Sequence, residues 1–273
     1  MVDNCLGFGT FPLKDILTDI LPEAQECGYS IIDTSDDYFN EKYVAEAKCD
    51  MKIFTKFSLV NNVLDFDNYF KNIQKIFLEN GKKINCYMLH WPYPHIYKKI
   101  WRKFEELYFN GEVDEIGVCN FTVQALTELI KDCRVKPMYN EIELHPLFQQ
   151  KDVTDFCEKN GIRIISYSPF ARMDKELIQN EKLINIAKIH NTDVTNIILK
   201  WNMQKGFIPI PSTSKHEHIK NMSAEMLEAI VLTPDDIAEI DSLECGKRIR
   251  FDPDTYFSAK TKLKLFLYSL MMR

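Results

Sequence analysis

The sequence predicts a (β/α)8 TIM barrel of the α/β class, and three regularities carry that prediction. Short apolar runs typical of β-strands alternate with longer segments of helical periodicity. Eight such runs occur, which is the number of strands that a closed parallel barrel requires. Glycines stand between the helical segments and the next runs, where a left-handed residue ends a helix. An open doubly wound sheet is the alternative that the same alternation allows.

The eight predicted strands cover 5–9, 29–34, 52–57, 85–91, 115–119, 138–144, 163–168 and 207–211. Between the first two, apolar residues from Leu13 to Cys27 recur at spacings of three and four, which indicates a helix with one buried face. Thr122 is predicted to cap the helix after the fifth strand. The helix-ending glycines are Gly28, Gly81, Gly111, Gly161 and Gly206. No linker or low-complexity run divides the chain, so we expect one domain over residues 1–273.

Composition excludes several functional classes. A net charge of -6 gives no overall field that attracts a polyanion, so we expect no nucleic-acid partner. No apolar run is long enough for a bilayer, and no secretion signal is recognisable, so we expect a cytoplasmic protein without membrane contact. The eight cysteines fall singly, which predicts reduced, mostly buried thiols and no metal site. We expect a monomer or a weak homo-oligomer.

Polar residues at the ends of the predicted strands indicate an active site, because the carboxyl ends of barrel strands meet at one mouth. The sharpest signal is Lys56 inside the apolar run KIFTKF. A buried ammonium needs a carboxylate, and Asp33 at the end of the neighbouring strand is the expected partner. On spacing alone, a purely structural ion pair remains an alternative.

Tyr38 follows Asp33 by five residues and turns the ion pair into a candidate proton-delivery site. A tyrosine titrates near pH ~10, so it is a poor acid unless a cation stabilises its phenolate. We expect Lys56 to lower the pKa of Tyr38, and His90 at the end of the fourth strand to orient the substrate oxygen. Such a site protonates an oxygen that gains negative charge, as happens when a hydride adds to a carbonyl.

Eight segments in order resemble the aldo-keto reductase family over nearly the whole chain. They are GFGTF (7–11), GYSIIDTSDDYFNE (28–41), IFTKF (53–57), YMLHWP (87–92), IGVCNF (116–121), YNEIELHP (139–146), YSPF (167–170) and LKWNMQKGFIPIP (199–211). The chain is most similar to the compact microbial type, the diketo-gluconate and methylglyoxal reductases. The resemblance implies NADP-dependent reduction of small aldehydes or ketones, with Asp33, Tyr38, Lys56 and His90 as the catalytic residues.

The resemblance also implies how the cofactor, NADPH, is bound without a Rossmann domain. Tyr167 would stack on the nicotinamide, and Cys119, Asn120 and Glu141 would hold its carboxamide. Further cofactor contacts are implied for Ser168, Phe170, Ser212, Thr213, His218 and Asn221. The family usually has serine at the first carboxamide position and glutamine at the third. We expect Glu141 to accept but not to donate a hydrogen bond, and to favour the positively charged oxidised ring.

Two further departures concern the ends of the site. Around the 2′-phosphate the family often has lysine, serine and arginine, whereas this chain has Ser212, Thr213 and His218. We expect Lys215 or Lys220 to compensate, so NADPH is the first choice and NADH the alternative. The short stretch between His90 and Asn120 predicts a more open pocket. Its expected lining is Phe11, Phe39, Phe57, Trp91 and Tyr93.

Two other functions remain open at this stage. A Schiff-base aldolase also uses a barrel lysine, but its lysine attacks the carbonyl and needs no tyrosine at this spacing. A cofactor-binding sensor or regulatory subunit would keep the barrel without turnover. The C-terminal segment KLKLFLYSLMMR (262–273) is too short to span a bilayer, and we expect it to pack on the barrel or on a second subunit.

Overall fold

Eight parallel strands form one sheet, in the order in which they occur along the chain. The computed structural model describes residues 5–59 and 66–271. The strands are β1 (Gly7–Gly9), β2 (Ile31–Asp33), β3 (Lys52–Phe57), β4 (Cys86–Leu89), β5 (Glu115–Cys119), β6 (Tyr139–Glu143), β7 (Arg163–Tyr167) and β8 (Ile208–Ile210). The amide of Gly9 donates to the carbonyl of Pro211 at 2.9 Å, which joins the first strand to the end of the last. The barrel prediction is therefore confirmed, and the open sheet is wrong.

Helices alternate with these strands and cover the outside of the barrel. They are α1 (Leu17–Glu26), α2 (Glu41–Glu46), α3 (Phe66–Leu78), α4 (Tyr97–Phe109), α5 (Val123–Asp132), α6 (Lys151–Asn160), α7 (Lys175–Ile178), α8 (Glu181–Ile189), α9 (Val194–Gln204), α10 (His216–Asn221), α11 (Ala224–Glu228), α12 (Pro234–Asp241) and α13 (Ala259–Met271). Thr122 caps α5 as predicted, because its hydroxyl accepts from the amide of Ala125 at 3.3 Å. A single 3-10 turn, Asp36–Tyr38, follows β2.

The core has two parts because successive side chains of a strand point to opposite faces. The outward set packs between the strands and the helices, with Tyr87 stacked on Phe104 at 4.8 Å between ring centres. The inward set fills the barrel: Ile31, Phe54, Cys86, Met88, Cys119, Tyr139, Ile165, Ile208 and Ile210. The barrel is thus a packed interior whose lower layers are apolar.

The cysteines and the C-terminal segment follow the predictions in part. All eight thiols are free, but only Cys86, Cys119 and Cys157 are buried, so "mostly buried" overstates the pattern. Helix α13 packs on the barrel through Leu265, which is buried, and Phe266, whose ring lies 5.5 Å from that of His95. Residues 272 and 273 of that segment lie outside the described residues. Within the described ranges, no helix combines the length and apolarity needed to cross a membrane.

Gly28 and Gly161 both follow the end of a helix, but a glycine is needed there for different reasons: backbone conformation at both, and lack of space at Gly28 alone. Both have a left-handed backbone, with φ of +86° and +71°. A Cβ on Gly28 would lie 2.5 Å from the Cβ of Ala224, whereas a Cβ on Gly161 would meet nothing within 4 Å. Alanine at either position strains the backbone, but only Gly28→Ala also overpacks an interface.

We expect Gly28→Ala to lower the free energy of unfolding by about 1 to 3 kcal/mol more than Gly161→Ala does. Urea unfolding of the two variants beside the wild type measures the difference. Equal losses would mean that backbone strain alone explains the glycine at position 28.

Candidate active site

The polar centre of the molecule is the next inward layer of the barrel, one step above the apolar one. Side chains repeat their direction every two residues along a strand. Ile31 is therefore followed on the inside by Asp33, Phe54 by Lys56, and Tyr139 by Glu141. All three polar side chains are buried. The strand period alone brings two carboxyl groups and an ammonium together at the barrel mouth.

Lys56 is the most completely enclosed member of this layer. Its Nζ donates to Asp33 Oδ1 at 2.5 Å and to the carbonyl of Thr34 at 3.0 Å. Glu141 Oε2 lies 3.3 Å from the same nitrogen. Burial alone would lower the pKa of Lys56, but the neighbouring carboxyl groups outweigh it and raise that pKa well above its ordinary value. Lys56 is therefore a permanent cation, and the expected partnership with Asp33 is confirmed.

Tyr38 lies over this cation at the end of the 3-10 turn. Lys56 Nζ is 5.2 Å from the centre of the Tyr38 ring. The pKa of Tyr38 is raised above its ordinary value, because burial outweighs the favourable charge of Lys56. The expectation that Lys56 brings this pKa down to the working range is therefore wrong: the cation opposes the shift without reversing it. Tyr38 holds its proton firmly.

Glu141 behaves as a neutral acid. Its pKa is raised well above the ordinary value by burial and by the charge of Asp33, with Lys56 opposing only in part. The pKa of Asp33 is also raised, again by burial first, although its short contact with Lys56 opposes the shift. A protonated carboxyl group has one hydrogen, and that of Glu141 is donated to Asp33, so the expectation that Glu141 accepts from the cofactor without donating stays a prediction.

His90 stands at the edge of the same mouth with one ring nitrogen already occupied. Its Nδ1 lies 2.7 Å from the hydroxyl of Ser58 and 3.2 Å from that of Ser35. Burial, together with the charges of Lys56 and Arg250, lowers the pKa of His90 well below its ordinary value. The ring is therefore neutral, and the contact with Asp37 at 3.6 Å is not an ion pair. Nε2 is the nitrogen left to face the cavity.

Asp36, Asp37 and His90 bring ligand atoms within 4.8 Å of one another, a spacing that a metal ion would tolerate. The ligand atoms of Asp36 and His90 already serve hydrogen bonds within the protein. Asp36 Oδ2 accepts from the amide of Ser58 at 2.9 Å and from the hydroxyl of Tyr69 at 2.6 Å. Asp36 thus holds Ser58, and the hydroxyl of Ser58 in turn contacts His90, so we interpret the group as a hydrogen-bonded support for the His90 ring.

One cavity of about 1080 Å³ connects this centre with the predicted cofactor residues. Its lining includes Asp33, Tyr38, His90, Asn120, Glu141, Tyr167, Ser168, Phe170, Ser212, Thr213, His218 and Asn221. Lys56 lies behind the wall. Cys119 is the exception among the predicted cofactor contacts: it is fully buried, and its thiol lies 3.8 Å from Glu141 Oε2, beneath the cavity. The predicted contact of Cys119 with a carboxamide is therefore wrong.

Asn120 is held in one orientation at the middle of the cavity. Its Nδ2 donates to the carbonyl of His90 at 3.1 Å, and its Oδ1 accepts from the hydroxyl of Tyr167 at 2.7 Å. A side-chain amide has two hydrogens and two oxygen lone pairs. One of each therefore remains to meet a ligand that offers both a donor and an acceptor.

The far end of the cavity carries one of the two expected lysines. Lys215 lines it beside Thr213 and His218. Lys220 does not, because its ammonium pairs with Glu23 at 3.2 Å on the outside of the barrel. Of the two expected lysines, Lys215 is therefore the one that the structure places on the cavity.

The substrate side differs from the prediction in three residues. Phe11 and Trp91 line the cavity as expected. Phe39 is 68% exposed, because its left-handed backbone (φ 52°) at the end of the 3-10 turn directs it to solvent. Phe57 and Tyr93 are buried in the outer core. The prediction of a pocket lined by these three residues is wrong.

Sequence reasoning missed the wall contributed by the segment after α12. Arg250, Phe251 and Tyr256 line the cavity, and Tyr256 stacks on Trp91 at 4.1 Å between ring centres. Glu143 anchors the segment, since its carboxylate accepts from the amides of Ile249 and Arg250 at 2.6 and 2.9 Å. The advance signal in the sequence is weak: two arginines and one phenylalanine in RIRFDPD (248–254). Arg172, in the loop after β7, was missed as well.

Comparison with known proteins agrees with the geometry. The profile of the aldo/keto reductase family matches residues 6–244. The chain is 33% identical to a glyoxal reductase from Bacillus subtilis, over 91% of each chain. It is 31% identical to a methylglyoxal reductase from Escherichia coli, over 92% of this chain and 93% of that one. A crystal structure of a Gox0644 mutant with NADPH superposes with a TM-score of 0.84 at 26% identity, covering 93% of this chain and 94% of that one.

Glu41, at the start of α2, is a buried acid whose ionisation should affect the stability of the fold. The Glu41 side chain accepts from the hydroxyl of Thr55 at 3.1 Å, and burial, followed by the charge of Asp36, raises its pKa to about 7. In the unfolded chain Glu41 ionises from about pH 4.5. Between these values the folded protein binds more protons, so this residue's contribution to stability is lost as the pH rises through about 7.

We expect Glu41→Gln to remove this pH-dependent loss of stability. The free energy of unfolding of the variant minus that of the wild type should therefore be higher at pH 8 than at pH 5 by about 1 to 3 kcal/mol. Urea unfolding at both pH values measures the change. Glu46→Gln on the exposed side of the same helix is the control and should leave the pH dependence unaltered. An unchanged difference between Glu41→Gln and wild type at the two pH values would refute the buried-acid account.

Proposed function

The chain belongs to the aldo-keto reductase family and is by that membership an NADPH-dependent carbonyl reductase. From this premise we propose that it reduces small aldehydes and dicarbonyls with Tyr38 as general acid. The observation that carries the proposal is the convergence of Tyr38 and His90 on one cavity, with the Lys56 cation buried directly behind the tyrosine ring. Glyoxal and methylglyoxal are the proposed substrates, by similarity to the two bacterial relatives.

The residues present fit a nicotinamide dinucleotide. Asn120 keeps one hydrogen and one lone pair for a carboxamide, and Glu141 offers a second partner beside it. Tyr167 supplies a ring for stacking against the nicotinamide. Ser168, Phe170, Ser212, Thr213, His218 and Asn221 would hold the remainder along the same cavity. When bound, NADPH supplies the hydride.

Each catalytic side chain would have a separate task. Tyr38 keeps its proton until the carbonyl oxygen becomes negative, and then donates it. His90, neutral and fixed through Nδ1, orients that oxygen with Nε2. Lys56 supplies a fixed positive charge beneath the developing negative charge, and Asp33 holds the ammonium in place.

The Schiff-base alternative fits these features poorly. An attacking lysine needs a neutral amine, which requires a lowered pKa. The pKa of Lys56 is raised instead, and its side chain lies behind the cavity wall. A non-catalytic sensor would have no use for a buried cation under a tyrosine at the cavity mouth.

We further propose that residues 1–273 form one domain and work in the cytoplasm as a monomer or weak homo-oligomer, without a nucleic-acid partner. The continuous eight-stranded sheet supports the first point, and the net charge of -6 supports the last.

The general-acid role predicts that Tyr38→Phe lowers kcat/KM for methylglyoxal at least about 100-fold while NADPH still binds. Removing the hydroxyl removes the proton donor but leaves the cofactor contacts. Turnover is followed by oxidation of NADPH and of NADH with methylglyoxal and phenylglyoxal, and binding by quenching of tryptophan fluorescence. Tyr108→Phe, outside the cavity, is the matched control. A retained rate in Tyr38→Phe would sink the mechanism, whereas a wild type that binds NADPH without turnover would establish the sensor.

The cofactor end predicts that Lys215→Ala raises the KM for NADPH about tenfold and leaves that for NADH nearly unchanged. An exposed charge-assisted hydrogen bond to a phosphate is worth about 1.5 kcal/mol, and only NADPH carries the 2′-phosphate. Lys220→Ala is the matched control, since that lysine is engaged by Glu23. A larger effect of Lys220→Ala than of Lys215→Ala would place the phosphate on the other side of α10.

A further inference from the structure

The Asp33–Lys56–Glu141 cluster contains one carboxyl group more than its cation can neutralise. Oxygens of Asp33 and Glu141 lie 2.5 and 3.3 Å from the same ammonium nitrogen, and all three side chains are at most 5% exposed. In the described part of the chain, no second cation lies within ion-pair distance of either carboxyl group. An unpaired buried charge is far more costly than protonation of one carboxyl group. One of the two therefore keeps a proton.

The geometry assigns that proton to Glu141. Asp33 has the shorter contact and accepts a hydrogen bond from Lys56, so its ionised form is the better stabilised of the two. Glu141 lies farther from the ammonium and beside the negative charge of Asp33. The raised pKa of Glu141 agrees with this assignment.

The other titratable groups that face Glu141 keep their protons. They are Tyr38 on the 3-10 turn, Cys86 on β4, Cys119 on β5 and Tyr167 on β7. Burial raises the pKa of each. Among these neighbours, Glu141 is thus the acid whose proton a nearby positive charge would release most readily.

We propose that Glu141 is a proton-linked sensor of the cofactor's oxidation state, retaining its proton beside the neutral reduced nicotinamide and releasing it to solvent when the positively charged oxidised nicotinamide binds. The inference rests on the proposed function, which puts the nicotinamide between Asn120 and Glu141. The step balances without an oxidant: the neutral carboxyl group becomes a carboxylate, one proton enters the solvent, and the carboxylate neutralises the ring's positive charge.

Glu141 is suited to both states because it lines the cavity on one side and faces Lys56 on the other. As an acid it is uncharged, donates its hydrogen to Asp33 and can still accept from a ligand in the cavity. As a carboxylate it becomes a counter-ion to the ring. The affinity for oxidised cofactor should therefore rise with pH by up to about tenfold per unit, while the affinity for reduced cofactor should not. Acid would then favour release of the oxidised product.

The test is isothermal titration calorimetry of the full chain with NADP+ and with NADPH, in buffers of different ionisation enthalpy. In the wild type, binding of NADP+ should release about one proton more than binding of NADPH does. The 2′-phosphate occurs in both forms and cancels in this difference. Glu141→Gln should abolish the difference, whereas Glu217→Gln, at the far end of the same cavity, should retain it.

Equal proton counts for the two cofactors in the wild type, or a difference that persists in Glu141→Gln, would overturn the inference. Should Glu141→Gln fail to fold, the dissociation constants of both forms measured in wild type from pH 6 to pH 9 decide the question. Parallel pH slopes overturn the inference, and a steeper slope for NADP+ supports it. If both cofactors bind and methylglyoxal is reduced without a proton difference, only this inference fails. If neither cofactor binds, the proposed function fails with it.

Discussion

Burial of the Lys56 ammonium is the constraint on which the rest of the site depends. The barrel interior is apolar up to Phe54 and becomes polar one inward position later. A cation at that depth is stable only beside an ionised carboxylate, which Asp33 supplies, and the strand period also brings the neutral carboxyl group of Glu141 to the same ammonium. The same cation fixes what surrounds it: it opposes the upward shift in the pKa of Tyr38 and helps to keep His90 neutral.

The features that sequence alone predicted are those set by local periodicity or by unavoidable charge pairing. All eight strands lie within the predicted ranges, because alternation of apolar runs and helical stripes is a local property. The pairing of Lys56 with Asp33 was predictable because adjacent parallel strands place their carboxyl ends side by side. The convergence of Tyr38 and His90 followed from the same geometry.

The features that sequence missed depend on side-chain direction or on distant segments. Phe39 points to solvent because its own backbone is left-handed, and the sequence motif around Tyr38 does not predict that conformation. Cys119 faces the barrel interior just below the cavity, a difference of one layer that the spacing of polar residues does not resolve. Arg250 lies at the mouth in a segment whose backbone is bound by Glu143, over a hundred residues earlier. Glu141 was assigned to the cofactor, but its contact with Lys56 requires knowing that both strands direct these residues inward at one height.

The raised pKa of Tyr38 is compatible with its role as an acid because the acceptor is a much stronger base than phenolate. The conjugate acid of an alkoxide formed by hydride addition is about as weak an acid as water, so its pKa lies well above that of an ordinary tyrosine hydroxyl. A tyrosine need only hold its proton until that base appears, and burial ensures that it does. Lowering the pKa to neutrality would instead favour loss of the proton before the carbonyl is reduced. Lys56 is then best understood as a fixed charge that stabilises the phenolate after transfer, while the second carboxyl group beside it, on Glu141, makes the charge of the cluster responsive to the cofactor.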